Sequence, residues 1–336
     1  MRIAFLYNIR HLYPDPKNQK SQKEADFDDP KTIKTILGYL KKCGYDVLPI
    51  EADENAYKKL KTAKNRIDLA FNYSMGNRGK ERNALFPAML EILGIPYTGP
   101  GVLTQALILN KAKSKDMMRS FGIPVVIHQL FKNGDKISPE LHFPLIVKPV
   151  AQGSSAGITN KSVVRTEREL RRQVKLVFET FNDNAIVEPF LEGREFSVPM
   201  LGNPPVILPI IESDHSKLPK GYEKIDSLEV KWIFEEKHAD NNLSCPAKID
   251  KILEKKIKNI CLKVWSALDI KDICRIDIRC DRKGNPYVLE VNSPPGLIPP
   301  ELSQSYFPYS AGVAGIEYKD LLKKIIESAK ERYKKG

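Results

Sequence analysis

Two neighbouring segments near residue 280 combine apolar strand residues with charged and amide side chains. The first, CRIDIRC, covers 274–280, and the second, PYVLEVN, covers 286–292. Alternation along a strand brings every second side chain to one face. That face holds Arg275, Asp277 and Arg279 in the first strand and Val288, Glu290 and Asn292 in the second. Acid and amide groups gathered at the end of an apolar strand indicate a binding site.

The short DRKGNP turn between these segments predicts an antiparallel hairpin. We expect the hairpin to close with Asp281 opposite Pro286. In that register Asp277 lies directly opposite Glu290. A slip by one residue would bury both acids with the apolar side chains, so the parity of the register is well determined.

Two carboxylates directly opposite each other repel unless a cation lies between them. Asp277, Glu290 and the amide oxygen of Asn292 form a set of hard oxygen ligands that suits Mg²⁺, with phosphate oxygens and water completing the octahedron. The alternative is a surface ladder of salt bridges, in which Arg275, expected opposite Asn292, and Arg279 neutralise the two acids. The sequence favours the metal site over the ladder.

A glycine-rich turn follows an apolar strand in VKPVAQGSSAGIT, residues 147–159. Small residues in such a turn can bring backbone N–H groups and hydroxyls against a phosphate chain. The turn consists of Gly153, Ser154, Ser155, Ala156 and Gly157, and Lys148 lies on the strand before it. The residue order is not that of a Walker loop. A flexible hairpin with an exposed lysine is the alternative.

A third motif, IVEPFLEGREF, covers residues 186–196. An apolar strand ends here at Glu188 and breaks into Phe190 and Leu191, so backbone groups at a domain junction could bond to an adenine ring. Proline in this break has no N–H, which leaves the neighbouring amides and carbonyls as the bonding edge. Glu195 could accept hydrogen bonds from a ribose. Solvated acids flanking a strand are the plainer alternative.

Short apolar runs near the N-terminus alternate with helix-period stretches, which predicts a parallel, Rossmann-like α/β unit. Between its first strand and first helix lies the polar segment NIRHLYPDPKNQKSQKEADFDDP. This segment is long for a connection and lies where α/β folds bind ligands. Four acids gather near its end: Glu24, Asp26, Asp28 and Asp29. It is either a functional loop or a disordered insertion.

Length and composition limit the classes of protein. The 336 residues suit two or three packed units. Hydrophobic residues make up 42% and charged residues 29%, and no apolar run approaches the roughly 20 residues of a membrane span. Five scattered cysteines predict reduced core residues, and the N-terminus does not resemble a signal peptide, so we expect a cytoplasmic protein. The net charge of +12 follows lysine-rich helices and favours a nucleotide ligand over nucleic acid.

Taken together, the ordered motifs resemble the ATP-grasp ligases, and among them the D-alanine-D-alanine ligases. The resemblance runs from about Ala84 to about Ala329 and includes LNKAKSK, SYFPYSAGVAG and the motifs above. It implies an α/β (α+β) protein with an ATP-grasp fold behind a Rossmann-like domain. The expected domains are an N-terminal α/β domain (1–104), a central subdomain with the phosphate loop (105–190) and a C-terminal subdomain with the magnesium site (191–336).

The resemblance also implies roles for single residues. Lys111 and Lys148 would bind ATP phosphates beneath a lid formed by Gly153–Gly157, and Glu188, Phe190, Leu191 and Glu195 would bind adenosine. Asp277, Glu290 and Asn292 would hold two Mg²⁺ ions, for which Mn²⁺ can substitute. The catalytic set would be Arg275, the Gly296 amide, Ser154 and Lys231, and the substrate-binding set Glu24 and Ser305. Such enzymes form a peptide bond through an acyl phosphate.

Departures from the family pattern concentrate around the substrates. The chain has YNIRHLYPDP where the ligases carry a Gly-Gly, Ser, Glu signature, and NYSMGNRGKERN where they carry His-Gly-x-x-Gly-Glu-Asp-Gly. Trp232 follows Lys231 where the family has tyrosine. We therefore expect either D-alanine ligation or ligation of another amino acid or peptide pair, with a homodimer as the expected assembly. An ATP-binding regulatory protein without ligase activity is the third alternative.

Overall fold

A computed structural model describes residues 1–132, 134–234 and 242–335. Its N-terminal unit is a parallel sheet in the order β2-β1-β3, as the alternation of strands and helices predicts. The strands are β1 (Arg2–Tyr7), β2 (Asp46–Glu51) and β3 (Leu69–Asn72), and the helices are α1 (Pro30–Lys42), α2 (Ala56–Ala63) and α3 (Leu85–Leu93). Helix α1 begins where the Asp29 carboxylate accepts hydrogen bonds from the amides of Lys31 and Thr32.

The second unit carries an antiparallel sheet in the order β4-β7-β5-β6. It consists of α4 (Val102–Leu109), α5 (Lys111–Ser120), β4 (Gln129–Phe131), β5 (Leu145–Pro149), β6 (Val163–Val164), α6 (Glu167–Phe181) and β7 (Ala185–Pro189). Helix α6 is amphipathic and packs Leu170, Val174 and Val177 onto the sheet. The glycine-rich turn joins β5 to β6.

The third unit is an antiparallel sheet in the order β11-β10-β8-β12-β13, with β9 paired to β8. It consists of β8 (Glu195–Leu201), β9 (Val206–Ile207), β10 (Ile211–Ser213), β11 (Leu243–Ser244), α7 (Lys251–Ala267), β12 (Ile273–Cys280), β13 (Pro286–Asn292), α8 (Tyr306–Val313) and α9 (Tyr318–Lys335). Helix α9 packs Leu322 and Ile325 against Ile36 of α1, so the C-terminus lies on the N-terminal unit.

The hairpin β12–β13 has the predicted pairs at the site but not at its turn. Asp277 pairs with Glu290 and Arg275 with Asn292, whereas Pro286 faces Cys280 and not Asp281. A β-bulge lies between these two parts of the hairpin and absorbs the difference of one residue.

The bulge also corrects the predicted face of Val288. This residue is fully buried in the core with Ile276 and Ile278, and it does not share the face of Glu290.

The cysteines follow the prediction in part. Cys261, Cys274 and Cys280 are buried in the core beneath the third sheet, whereas Cys43 and Cys245 are half-buried, and none forms a disulfide in the described chain. Among the described residues, no helix combines the length and the apolar character needed to cross a bilayer.

Candidate active site

Asp277 is the centre of a buried polar cluster on the face of β12 and β13. The Arg275 guanidinium donates to both of its oxygens, from Nε to Oδ1 at 2.9 Å and from Nη2 to Oδ2 at 2.8 Å. Ser197 Oγ donates to Oδ1 at 2.7 Å, and Asn292 Nδ2 donates to Oδ2 at 2.8 Å. The cross-strand pairing brings Glu290 opposite Asp277. The sequence-predicted metal residues therefore lie together, and Arg275 lies with them.

Glu290 is ionised beside three cations. Its carboxylate lies 3.4 Å from the Lys111 ammonium. Burial raises its pKa, but the charges of Lys111, Lys231 and Arg275 outweigh burial and bring the pKa to about 2. Both carboxylates of the pair are thus neutralised by side chains from three parts of the chain.

The chemistry of this donor set fits magnesium with a phosphate ligand. In the described ranges no group of three or more histidine, cysteine, aspartate or glutamate side chains is arranged to hold a metal ion. Two carboxylates and one amide oxygen, each binding through one oxygen, leave half of an octahedron to other oxygens, which agrees with a metal that arrives with phosphates. The salt-bridge ladder is present only in part, because Arg275 pairs with Asp277 whereas Arg279 pairs with Glu195 at 2.6 Å.

Lys148 makes a buried ion pair that was not predicted. Its ammonium lies 2.8 Å from Glu188, whose other oxygen lies 3.1 Å from Lys115. Burial raises the pKa of Glu188, but the two ammonium groups bring it to about 2. Lys115 also donates to the carbonyls of Val288 and Leu289.

Lys115 is a site residue that the sequence analysis missed. Its signal is present in LNKAKSK, because Lys111 and Lys115 are four residues apart and therefore lie on one face of α5. Both side chains are buried, although lysine is almost never fully buried unless it is paired. Helix α5 thus aims two ammonium groups at the site.

A small cavity of about 80 Å³ lies between the second and third sheets. Its lining includes Glu188, Phe190, Leu191 and Glu195, which are the residues predicted to bind adenosine, together with Ser155 and Lys148, which was predicted to bind phosphate. The Arg279 guanidinium lies 5.1 Å from the Phe190 ring centroid and holds the Glu195 carboxylate. The structure therefore brings the residues predicted to bind adenosine to one pocket.

The glycine-rich turn lies at the mouth of this cavity. Ser154 and Ser155 have φ angles of 47° and 61°, so the turn uses the left-handed region twice in succession. Ser155 Oγ donates to the Asp226 carbonyl at 2.5 Å. Ala156 and Gly157 line neither of the two cavities: Ala156 is buried, and the Gly157 amide donates to Gln22 Oε1 at 3.0 Å.

A second cavity of about 760 Å³ adjoins the first. Its lining includes the predicted Ser154, Lys231, Arg275, Gly296 and Ser305. Ser305 Oγ donates to the carbonyl of Gly296 at 3.0 Å. The π-helical turn Val230–Phe234 carries Lys231, which lines both cavities.

Glu24 lies elsewhere than predicted. Its carboxylate accepts the backbone N–H groups of His11 and Leu12 at 2.7 and 3.1 Å, and it lines neither cavity. The acids of the same segment that do line the larger cavity are Asp26, Asp28 and Asp29. The 3-10 turn Gln19–Glu24 directs Glu24 back onto its own loop and leaves the following acids to face the cleft.

A buried network covers the site from the segment 212–232. His215 Nε2 lies 2.7 Å from one oxygen of Asp226, and Tyr306 Oη donates to the other at 2.7 Å. Burial lowers the pKa of His215, but the Asp226 carboxylate outweighs burial and raises it. The Tyr306 ring lies 5.0 Å from the Arg275 guanidinium. This network had no signal in the sequence beyond the presence of its residue types.

Comparisons with known proteins agree with this geometry. The sequence model of a family described as D-ala D-ala ligase C-terminus matches residues 117–327. The chain is 32% identical to an uncharacterised protein, y4sG, of Sinorhizobium fredii, over 99% of this chain and 98% of that one. It is also 32% identical to a D-alanine–D-alanine ligase of Haemophilus influenzae, over 91% of this chain and 97% of the ligase.

Solved structures show the same fold over the whole chain. The crystal structure of a D-alanine–D-alanine ligase from Bacillus anthracis superposes with a TM-score of 0.73 at 25% identity, covering 100% of both chains. A structure of the Bacillus anthracis ligase complexed with ATP gives a TM-score of 0.72 at 24% identity, also over 100% of both chains. The matched family, the full-length relatives and the arrangement of the polar cluster lead to one assignment: the chain belongs to the D-alanine–D-alanine ligase family of ATP-grasp enzymes.

Proposed function

We propose that the protein is an ADP-forming ligase that joins a carboxylate to an amine through an acyl phosphate. One observation carries this proposal: the two cavities share a wall that includes Lys111, Lys231, Arg275 and Glu290. A phosphoryl group passing from a nucleotide in the smaller cavity to a substrate in the larger one must cross this wall. Three cations are therefore concentrated where the transferred charge would lie.

The smaller cavity would take the nucleoside. Leu191 and Phe190 supply apolar surface, Glu195 a carboxylate for ribose hydroxyls, and Lys148 an ammonium for phosphates. Because the present volume of about 80 Å³ is well below the roughly 300 Å³ of the smallest typical ligand pockets, the cavity would have to widen to admit ATP, and the glycine-rich turn that lines it is the segment we propose to move. The structure of a ligase complexed with ATP has the same fold, with a TM-score of 0.72, and this likeness supports a nucleotide as the ligand.

In the proposed reaction, a substrate carboxylate oxygen attacks the γ-phosphorus and ADP leaves. An amine then attacks the acyl carbon, loses a proton and displaces inorganic phosphate, which leaves an amide. Arg275 and the backbone amide of Gly296 would stabilise the oxyanion formed at the acyl carbon. Bound Mg²⁺, held by Asp277, Glu290 and Asn292, would neutralise phosphate charge. Closure of the turn would exclude water, which otherwise would hydrolyse the acyl phosphate.

D-alanine with D-alanine is the first substrate pair to consider, because family relatives such as the Haemophilus influenzae protein carry that name. A larger amino acid or a peptide is the second candidate. The cavity of about 760 Å³ carries Arg10 and Trp232 on its wall, side chains that a larger substrate would contact.

The test is phosphate release from Mg·ATP with D- and L-amino acids, offered singly and in pairs, and mass spectrometry of the products. Release with D-alanine alone, matched by the dipeptide, would establish the parent activity. Release only with another pair would establish a ligase of changed specificity. ATP binding without release for any amino acid or dipeptide would contradict the proposal and favour a regulatory protein.

A further inference from the structure

A buried ion pair joins the N-terminal unit to the phosphate turn. Arg82 Nη2 lies 2.6 Å from Asp26 Oδ2, and the two side chains are only 10% and 12% exposed. Arg82 Nη1 also donates to the carbonyl of Ala151 at 2.7 Å. Arg82 comes from NYSMGNRGKERN and Asp26 from the long polar segment, the two stretches that depart most from the family pattern. The ion pair therefore connects both of these segments to the glycine-rich turn.

Asp26 also contacts the turn directly. Its Oδ2 accepts the Gly153 backbone N–H at 3.3 Å. The fit is close, because a Cβ atom at Gly153 would lie 2.4 Å from Asp26 Oδ1. From the same segment, Gln22 accepts the N–H of Gly157 at 3.0 Å. The polar segment thus holds two backbone amides of the turn that sequence analysis assigns to phosphate binding.

We propose that Asp26 and Arg82 are positioning residues, a lid clasp that holds the glycine-rich turn closed over the transferred phosphate. The inference rests on the proposed function, because it assigns to this turn the exclusion of water from an acyl phosphate. The clasp holds one side of the turn at Gly153, while Asp226 holds the other side through Ser155. Neither clasp residue touches the reacting atoms in this account.

Charge explains why the pair is needed. Gly153 lines both cavities, so a carboxylate on its amide lies close to the path of an anionic phosphate. An unpaired Asp26 carboxylate would repel that phosphate. Arg82 neutralises the carboxylate and fixes its orientation. Loss of Arg82 should therefore weaken ATP binding more than loss of the Asp26 charge. Loss of Arg82 or of the Asp26 charge should make the glycine-rich turn more mobile.

The first experiment measures hydrogen exchange of the peptide covering 151–159 in Arg82→Gln and Asp26→Asn, without substrates. Arg78→Gln is the matched control, because Arg78 is exposed in the same segment. Loss of the clasp should speed exchange by about 5–30-fold in both clasp variants and not in the control. Unchanged exchange in Asp26→Asn, which keeps the side-chain shape, would overturn the inference even if Arg82→Gln folds poorly.

The second experiment measures phosphate released per amide formed, and the KM for ATP. The wild type and Arg78→Gln should give a ratio near one, whereas the clasp variants should exceed it because water reaches the acyl phosphate. KM for ATP should rise more in Arg82→Gln than in Asp26→Asn. A ratio that stays near one in both clasp variants would refute the clasp. If the wild type forms no amide, the proposed function fails, and exchange together with ATP affinity still decides whether the clasp exists.

Discussion

Substitution of Asp28 by asparagine should stabilise the protein at neutral pH. Asp28 faces the larger cavity, and its Oδ2 accepts a hydrogen bond from Tyr73 Oη at 2.6 Å. Burial raises its pKa from 3.8 to about 6, against the opposing effects of the Tyr73 hydroxyl and Arg10. Asparagine keeps the acceptor oxygen and removes the charge that burial disfavours.

The magnitude follows from the pKa shift. A rise from 3.8 to about 6 is roughly two units, and at about 1.36 kcal/mol for each unit the ionised carboxylate costs about 3 kcal/mol. The folded state binds the proton more tightly than the unfolded state, so this cost is absent below the unfolded pKa of 3.8. It grows as pH rises towards 6 and is constant above about pH 7.

The assay is urea denaturation of the wild type and Asp28→Asn from pH 4 to pH 8. The free energy of unfolding of Asp28→Asn should exceed that of the wild type by an amount that grows between pH 4 and pH 6 and levels off near 3 kcal/mol. Asp29→Asn is the matched control, because backbone hydrogen bonds from Thr32 and Lys31 lower the pKa of Asp29 despite burial, so its charge should not destabilise. A gain in the free energy of unfolding that does not depend on pH, or no gain at pH 7.5, would show that the Asp28 charge does not destabilise the protein. Substrate affinity should fall in Asp28→Asn if its charge binds a substrate ammonium.

Three further predictions concern charged residues that line the smaller cavity. Glu188→Gln removes the carboxylate that pairs with Lys115 and Lys148, so urea denaturation should show a loss of about 3–5 kcal/mol in the free energy of unfolding, and an unchanged midpoint would argue against the ion pairs. Arg275→Ala should lower turnover by about 10²–10³-fold with ATP affinity nearly retained, whereas full turnover would remove Arg275 from catalysis. Glu290→Gln should raise the Mg²⁺ concentration for half-maximal activity by about tenfold or more, and an identical magnesium titration would exclude it as a ligand.

The sequence predicts the chemical face of the hairpin because side-chain alternation is a local property. Asp277 faces Glu290 as expected, since moving either acid to the other face would bury it in the core. The turn differs by one residue because nothing in the local pattern shows that a bulge will remove Val288 from the polar face. The register of a hairpin is therefore predicted best where one face is buried and least well beside the turn.

The sequence does not show which residues far apart in the chain contact each other in the fold. Lys115 was missed because its role depends on Glu188 of strand β7, and the two meet only when α5 packs against the second sheet. Glu24 was predicted in the cleft by its place in the motif, but the turn that carries it directs the side chain to the His11 amide. From the sequence alone, Glu24 and the acids that follow it are equally good candidates for a substrate contact. Only the folded loop decides which of them faces the cleft.

The most direct test of the central claim follows one oxygen atom. A substrate labelled with ¹⁸O in its carboxylate is incubated with Mg·ATP and the amine partner identified by product screening, and the released phosphate is analysed by mass spectrometry. An acyl phosphate requires that one carboxylate oxygen remains with phosphorus, so each phosphate released with amide formation should carry one ¹⁸O. Unlabelled phosphate accompanying amide formation would contradict it, because the carboxylate would then not have been phosphorylated.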